Sequence, residues 1–245
     1  MVLIVGIIGA LDKEIALLCE KLEKAETYCR ASLTFHRGVL QGQEVVVVKC
    51  GVGKVNAALC TQLLIDVFKP DAVFCTGVAG ALKEDLDVGD VVVSTEVAQH
   101  DVDGTNFGHE PGEIPNLGIT YFKADEELAD IAWKVACKIL KGKKAVKGRI
   151  LSGDQFVCSS ERVKYLRDVF DGSCVEMEGG AIGHVCFVNE IPFVVIRSIS
   201  DRADDEAVVV YEKFAEEAAR NSSNIILGVL GVLGNLGRYK KGRVG

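Results

Sequence analysis

Three segments of this chain bring carboxylates to places where chemistry could be done. In Val175-Glu-Met-Glu178 two glutamates lie two residues apart, just before Gly179-Gly180 and an apolar helical stretch. If that segment is extended, Glu176 and Glu178 share one side of it. In Ile196-Arg-Ser-Ile-Ser-Asp201 an apolar run ends on Arg197, Ser200 and Asp201, so a buried element emerges directly into charged groups. Glu14 follows the first apolar run and its Gly9-Ala10 turn. Each carboxylate alone reads as a helix-start residue complementing the helix dipole, and for Glu14 that reading is the default. Together they put a carboxylate after three separate strands, where open α/β sheets gather their ligands. Carboxylates held in different protonation states can divide the work of proton donor, proton acceptor and cation stabiliser.

Other motifs exclude more than they assign. Gly51-Val-Gly53-Lys54 suggests a phosphate cradle, but Val48 stands where a P-loop needs its first glycine and Val55 where it needs Ser or Thr. Thr76-Gly-Val-Ala-Gly80 reads as a second glycine loop, closing another strand and bringing backbone close to a ligand. Neither loop has the G-x-G-x-x-G of dinucleotide sites, and each alone reads equally well as tight-turn chemistry. His100-Asp-Val-Asp103 has no third ligand beside it, so a loop or interface role is expected rather than a metal site. His184 falls on an apolar helix face and reads as a core or supporting group. The nine cysteines, at 19, 29, 50, 60, 75, 137, 158, 174 and 186, contain no C-x-x-C pair and no zinc-like Cys–His spacing. They read as buried free thiols in a reducing, cytoplasmic compartment.

The elements that must position these groups follow from apolar periodicity. Strands are expected over residues 2–8, 45–49, 72–76, 90–97, 146–152 and 193–200, and helices over 12–22, 54–67, 126–140, 160–170, 181–189 and 211–233. Such alternation implies a largely parallel sheet with helices on both faces. The irregular stretch 99–118 is a loop of the kind that carries function. At 245 residues with 49% apolar content, one domain over 1–237 is expected, followed by a basic, flexible tail at 238–245. A net charge of −7 argues against unspecific binding to nucleic acid or anionic membranes. The opening apolar run reads as a buried strand rather than a signal peptide, since Asp12, Lys13 and Glu14 follow at once. The apolar stretch 225–236 is about half of what a bilayer requires, so no membrane partner is expected.

With these segments in place, the chain resembles the purine nucleoside phosphorylase/nucleosidase superfamily and, within it, the 5′-methylthioadenosine/S-adenosylhomocysteine nucleosidases. The resemblance runs from Val5 to about Leu230. It rests on Gly6-Ile-Ile-Gly-Ala10 with Glu14, Gly51-Val-Gly-Lys54, Thr76-Gly-Val-Ala-Gly80, Val88-Gly-Asp-Val-Val-Val-Ser94, Ser152-Gly-Asp-Gln-Phe156, Val175-Glu-Met-Glu178 and Arg197-Ser-Ile-Ser-Asp201, in that order. It implies a single three-layer α/β/α domain, around a mixed central sheet with a partly closed barrel. It also implies hydrolysis of the N-glycosidic bond of adenine thioribosides (and 5′-deoxyadenosine) by water, with no cofactor or metal, in a homodimer. By the same resemblance Asp201 would protonate purine N7 and Glu14 would activate water. Glu178 would bind the ribose hydroxyls, with Arg197 orienting it. Phe156 would stack on adenine, the Val157 backbone would meet its Watson–Crick edge, and Met177 would lie under the ribose. Leu11 and Val52 would line the alkylthio pocket, with Tyr211 over its mouth and Phe107 supplied by a second copy of the chain. Val78, Ala79, Gly80, Glu176 and Ser200 complete the expected substrate site.

Some positions depart from the pattern. Val78 replaces a usual Ser or Thr, and Cys75 stands where phosphate-using relatives carry Arg, which disfavours a phosphate nucleophile. Gly104 stands where an apolar partner residue is common, implying a wider 5′ pocket. A purine nucleoside phosphorylase, an aminofutalosine-type nucleosidase and a non-catalytic nucleoside-binding protein on the same fold remain the alternatives.

Overall fold

The computed structural model of the chain describes residues 3–236. Val2, where the first strand was expected to begin, and the basic tail expected at 238–245 lie outside the described residues. Ten strands and six helices follow one another as β1 (Ile4–Gly9), α1 (Asp12–Glu20), β2 (Glu23–Arg30), β3 (Leu33–Leu40), β4 (Gln43–Lys49), α2 (Lys54–Phe68), β5 (Ala72–Ala81) and β6 (Val91–Gln99). After a short 3-10 turn at Thr105–Phe107 come β7 (Tyr121–Lys123), α3 (Glu126–Ile139), β8 (Ala145–Ser152), α4 (Ser160–Phe170), β9 (Cys174–Glu176), α5 (Gly179–Val188), β10 (Phe193–Asp201) and α6 (Ala207–Leu236).

All ten strands belong to one sheet, open at β2 and running β2-β3-β4-β1-β5. At β5 it turns back on itself: β5 pairs with β10 and with β9, β10 with β6, β6 with β8, and β8 with β9. The partly closed barrel is therefore a closed ring of five strands carrying an open wing. The sheet is mixed rather than largely parallel, because β2, β3 and β4 form an antiparallel meander with no helix between them. Periodicity alone did not reveal β2 or β3. Every residue of β2 is exposed, so its sequence carries no apolar alternation to read. The three-residue strands β7 and β9 are too short to show a period.

Two apolar layers cover the sheet. In β4, Val45 and Val47 pack into a core with Leu18 of α1, Leu128 of α3 and Ile225 of α6. Val46 and Val48 point the other way, into a core with Leu64 of α2 and Ile182 of α5. This double burial is why the strand is apolar without alternation. The expected Thr76–Gly80 loop is instead the second half of β5, buried at every residue and paired in parallel with β10 as far as Gly80 opposite Asp201. Among the thiols, Cys50, Cys60, Cys75, Cys174 and Cys186 are buried, but Cys29, Cys137 and Cys158 are exposed, contrary to expectation, because each lies on an outward face. Burial pushes the Cys60 thiol up to about 12, which keeps it unreactive near neutrality. No helix among the described residues is long and apolar enough to cross a membrane.

Leu64 is fully buried at the contact of α2 with the sheet. Leu64→Ala should destabilise the fold by about 2–5 kcal/mol, from lost transfer energy and the cavity left behind. Urea unfolding monitored by circular dichroism measures this, and a change under 1 kcal/mol would mean that the site collapses around the smaller side chain.

Candidate active site

The carboxyl ends of β1, β5, β9 and β10 meet above the strand ring. The arrangement there is governed by Arg197, which β10 delivers with 1% of its surface exposed. Its Nη2 pairs with the Glu176 carboxylate and lies 3.4 Å from Glu178 Oε2 and 3.2 Å from Cys75 Sγ. Its Nη1 lies 3.8 Å from Glu14 Oε1. Gly77 makes this possible: a Cβ there would fall on the Arg197 guanidinium and the Glu14 carboxylate. A buried cation surrounded by three carboxylates satisfies its own charge but leaves the group as a whole negative.

Each carboxylate has a different set of partners. Glu14 sits in the first turn of α1, where Ala10 N and Leu11 N donate to its Oε2 at 2.6 and 2.9 Å. Val78 N donates to its Oε1 at 3.1 Å. Glu176 accepts from Ser152 Oγ, from Glu178 N at 3.1 Å, and from Gly179 N at 3.0 and 2.8 Å. Its oxygens are thus committed to the protein, and its work is to anchor Arg197 and the start of α5. Glu178 receives Gly53 N at 2.9 Å. Burial, then the neighbouring Glu176 charge, push the Glu178 carboxyl up to about 7. Asp201 accepts from Ser200 Oγ and Ala203 N, each at 2.8 Å, and burial raises its pKa above the usual carboxylate range.

These groups border a cavity of about 320 Å³, at the small end of the range for ligand sites. Fourteen of the sixteen expected site residues line it. Leu11 and Glu14 come from the start of α1, Val52 from the turn before α2, and Val78, Ala79 and Gly80 from β5. Phe156 and Val157 come from the segment after β8, Glu176, Met177 and Glu178 from β9 and its exit, Ser200 and Asp201 from β10, and Tyr211 from α6. Phe156 meets Tyr211 edge-on, with ring centroids 5.6 Å apart. Arg197 stands behind the wall, reaching the cavity only through its carboxylate partners. Phe107 does not line the cavity; it lies on the 3-10 turn, 89% exposed. Ala10, Gln155 and Val175 also line the cavity and were not singled out from sequence. Each adjoins a residue that was, so the signal was its position in the same motif.

His100 is buried just after β6, and His184 packs against an aromatic neighbour. Arg162 Nη2 donates to His100 Nδ1 at 3.1 Å, and burial pushes His100 down to about 4, leaving it neutral. His184 stacks on Phe122 with centroids 4.7 Å apart and bonds the Gln99 side chain. Among the described residues no three His, Cys, Asp or Glu side chains gather as a metal site.

Comparison with known proteins agrees with this geometry. The family model described as the phosphorylase superfamily matches residues 4–231. A 5′-methylthioadenosine/S-adenosylhomocysteine nucleosidase of Bacillus cereus is 44% identical over 227 residues, which are 92% of this chain and 97% of that protein. The crystal structure of such a nucleosidase from Colwellia psychrerythraea, in complex with adenine, is 45% identical with a TM-score of 0.90, covering 94% of this chain and 96% of that one. The futalosine hydrolase of Helicobacter pylori is 36% identical with a TM-score of 0.88, covering 94% and 98%.

The elevated Glu178 carboxyl has a consequence for stability. A carboxyl near 7 in the folded chain and near 4.3 when unfolded binds more protons when folded, so its contribution to stability falls as pH rises across that window. Glu178→Gln removes the titration. Its melting temperature relative to the parent should therefore rise between pH 5 and pH 8, as differential scanning fluorimetry would read; a constant difference would place the Glu178 carboxyl in the ordinary range.

Proposed function

This chain belongs to the phosphorylase superfamily, and from that premise we propose that it hydrolyses the N-glycosidic bond of 5′-methylthioadenosine and S-adenosylhomocysteine, releasing adenine and the thioribose. The observation that carries this reading is the set of Glu14, Glu178 and Asp201 on one small cavity, each in a different electrostatic setting. Breaking the bond leaves a cationic sugar and a poor anionic base, so the base must be protonated as it departs.

Asp201 is suited to be the acid at purine N7. Burial favours its protonated form, while Ser200 Oγ and Ala203 N fix its orientation. Glu14 is suited to hold the attacking water and accept its proton. Two turn amides and Val78 N hold both its oxygens in place beside the Arg197 guanidinium. Glu178, fixed by Gly53 N and Arg197, would bind the ribose hydroxyls and stabilise the sugar cation. Phe156 offers a face for adenine, with the Val157 backbone at its edge and Met177 below the ribose. Leu11, Val52 and Tyr211 supply apolar walls for the 5′ substituent, with Val78, Ala79, Gly80 and Ser200 completing the lining. No cofactor enters this scheme, and residues 1–237 act as one nucleosidase domain in the cytoplasm.

Water is favoured over phosphate as nucleophile. Cys75 is buried and accepts from Arg197, Val78 adds no hydroxyl, and Lys54 is paired with Asp101. Among the described residues lining the cavity there are carboxylates and no Lys or Arg, so a phosphate would meet like charge. The likeness to a futalosine hydrolase supports a second reading, in which the natural 5′ group is larger. We take the working unit to be a homodimer. Val55 and Leu59 on α2, Val188 on α5 and the Phe107 ring are exposed apolar side chains that a second copy would cover while lending Phe107 to the 5′ pocket.

Incubation with methylthioadenosine should release adenine and methylthioribose at the same rate with and without phosphate. Strict phosphate dependence with a sugar 1-phosphate product would overturn the hydrolase reading. Asp201→Asn and Glu14→Gln should each lower kcat by roughly two to three orders of magnitude with little change in KM. The alkaline limb of the wild-type kcat/KM profile, set by loss of the Asp201 proton, should be absent in Asp201→Asn. Parent-like turnover in either variant would remove the role assigned to it. If the parent bound nucleosides without turnover, the chain would be a binding protein. For the dimer, sedimentation should give twice the chain mass, and Phe107→Ala should raise KM for methylthioadenosine several-fold; a monomer of full activity would contradict both.

A further inference from the structure

The Gly51-Val-Gly53-Lys54 turn does not bind phosphate in the reading above, yet its lysine is the centre of a closed polar cycle. Lys54 Nζ lies 2.5 Å from Asp101 Oδ1, with only 16% and 21% of the two side chains exposed. Asp101 Oδ2 accepts from Asp154 N at 2.9 Å, and Asp154 Oδ1 accepts from Lys54 N at 2.8 Å. Three separated stretches are thereby tied together: the loop after β6, the segment after β8, and the first residue of α2. The fit is close, since Gly53 has φ +96° and a Cβ there would lie 3.0 Å from Asp154 Oδ1.

What the cycle holds is the purine side of the cavity. Residues 154–158 run between two backbone anchors, Gly153 N to Glu176 O at 3.2 Å and Ser159 N to Ala203 O at 3.0 Å. Among the described residues, Gln155, Phe156, Val157 and Cys158 make no hydrogen bonds of their own, so Asp154 supplies the polar ties between the anchors, while Val157 packs in an apolar cluster and Phe156 meets Tyr211. Gln155, Phe156 and Val157 all line the cavity. On the other side, Gly53 N, one residue before Lys54, donates to Glu178. The ion pair braces the direct Lys54 N to Asp154 Oδ1 bond, and the two together set the distance between the segment facing the base and the carboxylate facing the sugar.

We propose that the Asp101–Lys54 pair is an internal latch, holding the purine-facing segment 154–158 against the turn that orients Glu178, and that Asp101 and Lys54 are positioning residues for the reaction. The proposal rests on the nucleosidase reading and assigns a task to two residues which that reading leaves idle. Opening the latch loosens chiefly the purine-facing segment, whose contacts are made equally to substrate and transition state, while Arg197 still holds Glu178, so the loss falls on KM more than on kcat. Because the two side chains are partners in one ion pair, their effects should not add.

The test is a double-mutant cycle on the full chain with methylthioadenosine, read by adenine release and accompanied by melting temperatures. Asp101→Asn and Lys54→Met should each raise KM about tenfold, the scale expected for neighbours in one network, with kcat within about threefold of the parent. The double variant should be no worse than either single one, and Lys54→Arg, which keeps the charge, should hold KM within about threefold. Unchanged KM in both single variants, or a double variant whose KM rises by the product of the single effects, would overturn the latch. So would a fall in kcat that tracks loss of folded protein at constant KM. If the parent released no adenine from any 5′-substituted adenosine, the nucleosidase reading would fail on its own. The latch would then be scored by calorimetry with adenine, where the same tenfold weakening of Kd is expected and an unchanged Kd overturns it.

Discussion

A guanidinium buried beneath a small cavity is the constraint on which the rest of this site depends. Arg197 has 1% of its surface exposed, so its charge can be kept there only by carboxylates equally withdrawn from water. Glu14 arrives from the helix start after β1, and Glu176 and Glu178 from the end of β9, to meet it. Their convergence explains features that otherwise look unrelated. Position 77 must lack a side chain because β10 and the start of α1 bring charged groups to the space a Cβ would fill. Glu178 titrates high because it is buried and lies beside the Glu176 charge, which Arg197 offsets only in part. The closed strand ring is what brings β5, β9 and β10 close enough for one arginine to serve all of them.

Within that frame, one residue type does several jobs because its hydrogen-bond partners differ. Glu176 is saturated by backbone amides, a serine and Arg197, which commits its oxygens to the protein. Glu14 is held by amides of the turn it follows and of β5, so it is oriented before any ligand arrives. Asp201 has only a hydroxyl and one amide against its burial, and its proton is correspondingly harder to remove. The surrounding fold, more than the side chains themselves, sorts these acids among different partners, and burial raises Glu178 and Asp201. The same sorting bears on the nucleophile, since Arg197 is the cation of this cluster and its charge is already engaged.

Much of the site was legible before folding. Glu14, Glu178 and Asp201 each follow an apolar run, and the end of a buried strand is where a chain must return to polar surroundings. That is a one-dimensional pattern, and it located three of the acids on the cavity. Other features had no such pattern. β2 is exposed along its whole length, so no alternation marks it. Thr76–Gly80 reads as a loop because glycine is rare inside strands; here the glycines admit charges from neighbouring strands, a reason visible only across the sheet. Glu176 was expected to touch substrate because it shares a motif with Glu178, and the partners that occupy it come from Ser152, Gly179 and Arg197.

The sequence by itself determined the alternation of strands and helices, the acids at strand ends and the membership of a family, because all of these are written in residue order and spacing. Only the tertiary structure decided that the sheet closes into a five-stranded ring, that Arg197 lies behind the cavity wall, and that Lys54 is tied to Asp101 rather than free for phosphate. Those outcomes depend on which buried charges find partners from distant parts of the chain. A charge withdrawn from water must be paired wherever the fold places it, and local order along the chain does not carry that information.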